Sequence, residues 1–244
     1  MPNIKLKIEY NGAGFSGWQI QPKTRTIQGE LTKNISLVIG EKISIIASGR
    51  TDSGVHALGQ VVNFRCKKDP DLKKLAYSIS SLMRDEVSIL EARIVDNEFH
   101  SQQDSIKKHY RYTILNRKPR PVLNSNLLWY YPFDIDRKKL IGAAKEFEGE
   151  MDFKSFQASG CTARTTKRTI YESKITINGD LIYYDVIGNG FLKQMVRNIV
   201  GTIIDNAAGK LRYGSIKEVI KSLDRRNAGV TAPAHGLTLM KVYY

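Results

Sequence analysis

Ser48-Gly49-Arg50-Thr51-Asp52-Ser53-Gly54-Val55-His56-Ala57 is the segment on which the reading of this chain turns. Before it lies the apolar run Lys42–Ser48. After it comes Gly59–Cys66, in which Val61, Asn63 and Arg65 alternate with Val62, Phe64 and Cys66. Alternation with period two marks a strand, so the segment reads as a loop between two strands. It holds an Arg, an Asp and a His within seven residues, punctuated by Gly49 and Gly54. Such a loop presents its side chains at the end of a sheet. A carboxylate beside a cation stays ionised, which suits Asp52 to serve as nucleophile or base. The plainer reading is a turn, where Asp accepts local N–H bonds and Gly supplies positive φ. His56 is a general base by residue type and equally a hydrogen-bonded structural histidine, since strand flanks it.

Outward from the loop, the same patterns repeat. Ile4, Leu6, Ile8 and Tyr10 face one way and Lys5, Lys7 and Glu9 the other, a first strand followed by the Gly-rich stretch Asn11–Trp18. Thr26 caps a helix whose buried face is Leu31, Ile35, Val38 and Ile39. Asp71–Met83 reads as a helix and Val87–Val95 as a strand. Ser105–Asn116 is strand-like and ends before Pro119 and Pro121; Asp136–Phe147 is helical. Ile170–Ile177 and Leu181–Ile187 form a hairpin around Asn178-Gly179. Leu192, Met195, Val196, Ile199, Val200, Ile203 and Ile204 mark an amphipathic helix, followed by a helix over Ser215–Leu223 and a strand over Leu237–Tyr243. Strands flanked by a few helices in each half predict an α+β fold. The expected boundary is the polar stretch His100–Lys107, giving halves 1–105 and 106–244.

Composition narrows the function. The 244 residues carry 38 Lys+Arg and 24 Asp+Glu, a net charge of +14, with 41% hydrophobic residues. That size supports a full core, and the balance is that of a folded protein. The charge is uneven: residues 1–105 hold 14 basic and 12 acidic side chains, residues 106–244 hold 24 and 12. A strongly basic second half points to a polyanion partner, because each cation that meets a phosphate releases a condensed counterion. Two cysteines, Cys66 and Cys161, exclude a disulfide framework. His100, His109 and His235 have no metal-ligand spacing, so no metal is expected. No apolar run is long enough to span a membrane, and the first ten residues read as strand rather than signal peptide. A cytoplasmic location is expected.

Two further places carry candidate chemistry. Lys107-Lys108-His109-Tyr110-Arg111-Tyr112, continuing to Arg117, Lys118 and Arg120, holds six Lys or Arg and no acid. On a strand Tyr110 and Tyr112 share one face, His109 and Arg111 the other. Rings among cations suit nucleic acid; two core tyrosines below a solvated face fit equally well. On the helix from Leu192, Arg197 lies off the apolar stripe, with Gly201 one turn further on. A glycine there lets another backbone approach, so that Arg197 can reach a packed interface and a carboxylate; a solvent-facing arginine is the plainer reading.

Taken together, these pieces resemble the tRNA pseudouridine synthase A family. Gly49–Ala57 looks like its signature loop. Phe15-Ser16-Gly17-Trp18-Gln19 with Thr26-Ile27-Gln28-Gly29 resembles its N-terminal block, and Tyr110-Arg111-Tyr112 its tyrosine strand. Met195–Gly201 resembles its arginine helix and Ala232–Leu237 its C-terminal block. The resemblance implies a pseudouridine synthase fold of two related halves, with mostly antiparallel sheets, flanking helices and a central cleft. It implies that Asp52 is the nucleophile, that Arg50 helps to hold a flipped nucleotide, that Tyr110 stacks on the target base, and that Arg197 pairs with Asp52. It also implies a homodimer, tRNA as partner, uridines 38 to 40 of the anticodon stem-loop as substrate, and no cofactor. Isomerising uridine needs no redox change or group donor, in keeping with a sequence that lacks a Rossmann glycine fingerprint.

The sequence departs from the family pattern at Asn11, where an acid is common, and at Ser53, where alanine is. Gln102 and Gln103 stand where Phe-His-Ala-Arg-Phe would place a cation and an aromatic; Lys193 and Gln194 replace residues that are often His or Tyr. A second function is therefore carried alongside the isomerase: a tRNA-binding or folding module without catalysis. A third is a pseudouridine synthase acting on another RNA.

Overall fold

The computed structural model describes residues 1–244, and the chain divides into two compact units, Met1–Ile106 with Thr238–Tyr244, and Lys107–Leu237. The first unit reaches one residue past the expected boundary and includes the last strand, which the expected halves place in the second. That strand, β10 (Leu237–Tyr243), lies parallel to β3 (His56–Arg65), with Thr238 opposite His56 and Leu239 opposite Ala57. Gly59 makes the approach possible: a Cβ there would sit 2.5 Å from the Met240 carbonyl oxygen. Alternation says that Leu237–Tyr243 is a strand, but not which sheet will accept it.

In the first unit β1 (Asn3–Tyr10) runs antiparallel between β4 (Val87–Val95) and β3, so the order is β4-β1-β3-β10. Ile4, Leu6 and Ile8 are fully buried, as their alternation requires. Thr26 accepts a hydrogen bond from the Gly29 amide and caps α1 (Ile27–Ile39), which Gly40 closes in the left-handed conformation. Asp71 caps α2 (Leu72–Met83) by accepting from two amides. Leu31, Ile35, Leu75, Ile79 and Met83 are their buried faces. The strand expected over Lys42–Ser48 shrinks to β2 (Ile46–Ala47), paired with β3. Ile43 and Ile45 are buried all the same, so the alternation there reports burial without ladder pairing. The polar stretch at the boundary is tied down as well. Buried Asn63 donates to Asn3 Oδ1 at 2.9 Å and accepts from the Ser101 amide, while Asn3 donates to the Asp96 and Phe99 carbonyls.

The second unit is an antiparallel sheet in the order β5 (Lys107–Leu115), β9 (Leu181–Gly188), β8 (Lys167–Asn178), β7 (Gly149–Asp152). β6 (Trp129–Tyr130) lies parallel to the end of β5. β6 and β7 are too short to leave a periodic signal. In the β8–β9 hairpin Asn178 faces Leu181, and Gly179, at φ +59°, supplies the left-handed turn position. α3 (Arg137–Lys145) packs on β8, and α4 (Met195–Ala207) packs on α3 and β5. α5 (Ile216–Ser222) follows, capped by a Ser215–Glu218 capping box. Ile199, Val200, Ile203 and Ile204 of α4 are each at most 1% exposed. Burial of that kind is worth about 1.5–3 kcal/mol per side chain, which makes α4 a firm platform.

Candidate active site

Residues 48–55 form a loop running directly into β3 at His56. Within it Asp52-Ser53-Gly54 is also a turn: the Val55 amide donates to the Asp52 carbonyl and Gly54 has φ +79°. The segment is therefore a loop with a turn at its tip, and the question becomes what the turn presents. Asp52 is half-buried and Arg50 exposed.

The Gly-rich stretch after β1 clasps this loop. The Trp18 amide donates to the Thr51 carbonyl at 3.0 Å, and Ser53 Oγ donates to the Phe15 carbonyl at 3.1 Å. Two glycines allow the contact. A Cβ on Gly12 would lie 2.1 Å from the Val55 carbonyl oxygen, and one on Gly17, itself at φ +88°, would lie 3.0 Å from that of Thr51. Below, Gln60 donates to the Gly49 carbonyl at 2.9 Å and accepts from Ser48 Oγ at 2.6 Å. Tyr10 shares a 2.8 Å hydrogen bond with Thr51 Oγ1, and burial pushes its phenol far above the usual range, so it stays protonated. His56 is buried, and its Nδ1 accepts from the Gly12 amide at 3.1 Å. That bond places the neutral ring's proton on Nε2 and gives His56 a structural task. Of the departures here, Asn11 caps the Gly12–Gly14 turn and Ser53 supplies the bond to Phe15, so both serve the clasp.

In the second unit Tyr110 and Tyr112 do share a face of β5, and both are buried. Tyr110 meets Phe191 edge-on, centroids 5.2 Å apart and planes at 85°. Tyr112 donates to the Pro233 carbonyl at 2.7 Å. The opposite face is less bare of acid than the sequence window suggests, because β9 brings Asp185 opposite Arg111. Arg111 grips it through Nε at 2.9 Å and Nη2 at 3.1 Å, and His109 Nε2 lies 2.6 Å from the same carboxylate. Burial raises the Asp185 pKa, but these hydrogen bonds prevail and hold it below the usual carboxylate range. Lys108, opposite Gly188, is lowered by burial and by the charge of Arg168.

Arg197, half-buried on α4, donates from Nε to the Ala232 carbonyl at 2.8 Å. Gly201 admits a passing backbone as expected, since a Cβ on it would fall 1.7 Å from the Val230 carbonyl oxygen. His235 lies near this strap. Burial lowers its imidazole pKa and the Arg197 charge adds to that, against the raising effect of the hydrogen bond that the ring donates to the Leu128 backbone. Gln60, Phe191, Asn198 and Arg225 have structural roles around these candidates that no spacing in the sequence announces. Gln102 and Gln103 are exposed. No group of three His, Cys, Asp or Glu side chains is disposed to hold a metal ion, and no helix is long and apolar enough to cross a membrane.

The profile of the tRNA pseudouridine synthase family matches residues 7–104 and 143–244, stretches that include Arg50, Asp52 and Arg197 and leave Tyr110 outside. Three relatives, each named tRNA pseudouridine synthase A, align end to end. The protein of Citrifermentans bemidjiense is 42% identical, over 100% of this chain and 98% of its own. That of Caldicellulosiruptor bescii is 41% identical and that of a Thermoanaerobacter species 38%, each over 100% of both chains. The chain belongs to the tRNA pseudouridine synthase family.

Proposed function

We propose that the protein isomerises uridine to pseudouridine in the anticodon stem-loop of tRNA, at positions 38 to 40, acting as a cytoplasmic homodimer without a cofactor. The observation that carries the reading is the end-to-end relation to tRNA pseudouridine synthases at about 40% identity, together with a half-buried Asp52 on a loop clasped from both sides. In the reaction the C1′–N1 bond breaks, the uracil turns, and C1′ bonds to C5. The C5 proton leaves and N1 takes one up, so atoms balance with no donor and no redox partner. Asp52 is the nucleophile that helps to release uracil, Arg197 pairs with that carboxylate, and Arg50 helps to hold the displaced nucleotide. Tyr110 stacks on the target base. A stem uridine must first leave its stack, at a cost of roughly a few kcal/mol. Stacking on an aromatic ring, worth about 1–3 kcal/mol per base, and phosphate contacts from the basic second unit offset it.

The test is release of tritium from C5 of uracil in unmodified tRNA, with Asp52→Ala beside the wild type. Release by the wild type alone supports both the activity and the nucleophile. Turnover retained by Asp52→Ala removes that role. Salt-sensitive tRNA binding without any release would favour the second reading, a binding or folding module; the exposed Gln102 and Gln103, in place of a cation and an aromatic, are the observation behind it.

A further inference from the structure

Arg197 and Ala232 are joined by two hydrogen bonds: the Ala232 amide donates to the Arg197 carbonyl at 3.1 Å, and Arg197 Nε donates to the Ala232 carbonyl at 2.8 Å. Because a guanidinium is a rigid planar fork, docking Nε on that carbonyl sets the direction of the two Nη groups. The aim of Arg197 thus depends on where residues 228–232 lie. These residues have no helix or strand to hold them. They are held by side chains instead. The Gly229 amide donates to Thr202 Oγ1 at 2.9 Å, and the Val230 amide donates to Asp205 Oδ2 at 3.0 Å.

Arg225 closes the arrangement from the other side. Its Nη1 donates to the Gly229 carbonyl at 2.9 Å, and its Nη2 donates to Thr231 Oγ1 at 2.9 Å and to Asn198 Oδ1 at 3.1 Å. Asn198 is fully buried, adjoins Arg197 on α4, and is anchored by its own donation to the Phe156 carbonyl at 2.8 Å. With a longer bond of 3.4 Å from Nη1 to the Ala228 carbonyl, Arg225 grips the strap at three points and the helix at a fourth. Each acceptor is a neutral oxygen, and burial lowers its pKa with no carboxylate to compensate. A cation withdrawn from water without a counter-charge stabilises poorly, so its use here is geometric.

We infer that Arg225 is a positioning residue for uridine isomerisation, setting the working direction of the Arg197 guanidinium through the 228–232 strap. The inference rests on the role proposed for Arg197. Its test compares Arg225→Met, Thr231→Val, Arg197→Lys and the Arg225→Met/Arg197→Lys pair, reading the single-turnover rate of tritium release at saturating tRNA, the tRNA Kd and the Tm. Arg197→Lys keeps the charge and loses the docked Nε. Arg225→Met is expected to lower the rate by about 10- to 100-fold, the scale of a misplaced group of about 1 Å. The tRNA Kd should stay within about threefold of the wild type, since the role proposed for Arg197 is toward the nucleophile and not toward the RNA, and such a loss falls on the rate. Thr231→Val should shift the rate the same way by less. In the Arg197→Lys background Arg225→Met should lower the rate no further. A wild-type rate for Arg225→Met overturns the inference, and so does an equal loss in both backgrounds, which is what mere loosening of the fold would give. A wild-type rate for Arg197→Lys would instead sink the role of Arg197 itself.

Discussion

The Asp52 loop in the first unit and the Arg197 strap in the second solve one problem by different means. Each sets irregular backbone against a regular element to present a charged side chain, Asp52 from the irregular loop itself and Arg197 from the helix beneath its strap, and each uses glycines to bring two backbones together. A Cβ on Gly12 would lie 2.1 Å from the Val55 carbonyl oxygen, and one on Gly201 would lie 1.7 Å from that of Val230. The difference is in what locks them. Around Asp52 the locks are neutral: Gln60 beneath, the Tyr10–Thr51 bond, and the His56 ring under Gly12. Around Arg197 the lock is a second arginine holding neutral oxygens. Neutral buried groups lose little in leaving water once they are hydrogen-bonded, whereas the half-buried Arg225 cation regains less of its hydration from such partners. The first loop is therefore the sturdier of the two.

The comparison can be broken at its glycines. After the loss of turnover in Asp52→Ala, the largest effects belong to Gly201→Ala and Gly12→Ala. Each drives a methyl into a carbonyl oxygen, and each should cost about 1–3 kcal/mol or more by overpacking, with Gly201→Ala also lowering the isomerisation rate. Thermal unfolding and single-turnover rates check both; a wild-type Tm for either would mean that its clasp yields freely. Next comes Tyr110→Ala, expected to weaken productive binding by about 1–3 kcal/mol, the scale of one lost base stack, as measured by tRNA titration and rate. Wild-type binding and rate would take base stacking away from Tyr110.

His56 sharpens the neutral side of the comparison. His56→Leu leaves the Gly12 amide without its acceptor, at about 1–3 kcal/mol, and should lower the Tm more than His56→Gln, which can offer an oxygen. Equal losses would take the hydrogen bond out of the account. The smallest effect is electrostatic. Asp185 has a folded pKa below its unfolded value, so its contribution is present above the unfolded pKa, about 3.9, and is lost as the pH falls through the lower folded value. The Tm gap between wild type and Asp185→Asn should be full at neutral pH and narrow on acidification below about pH 4. A gap independent of pH would show that shape, not charge, holds His109 and Arg111.

Much of this was legible in the sequence because the signals are local. The alternation over Ile4–Tyr10, the caps Thr26 and Asp71, the Gly179 turn and the apolar stripe of α4 depend on neighbours within a turn or a strand. Gly201 was legible as a place of close approach, though not what would approach it. Asp185 between His109 and Arg111 was invisible, since 74 residues separate it from Arg111. So was the return of β10 to the first sheet, where one strand pattern fits either half.

By itself, the sequence determined the α+β character and the basic second half, which follow from composition and period, and any short window displays them. Residue type left Asp52, Tyr110 and Arg197 open to plainer readings, and it was the resemblance of whole motifs to one family that made them, with Arg50, the candidates. Only the tertiary structure decided that His56 is a lock, that β10 belongs beside β3, and that Arg225 stands behind Arg197. Hydrogen bonds and carbonyl contacts between distant segments set those outcomes, and a linear pattern does not say which distant segment will arrive.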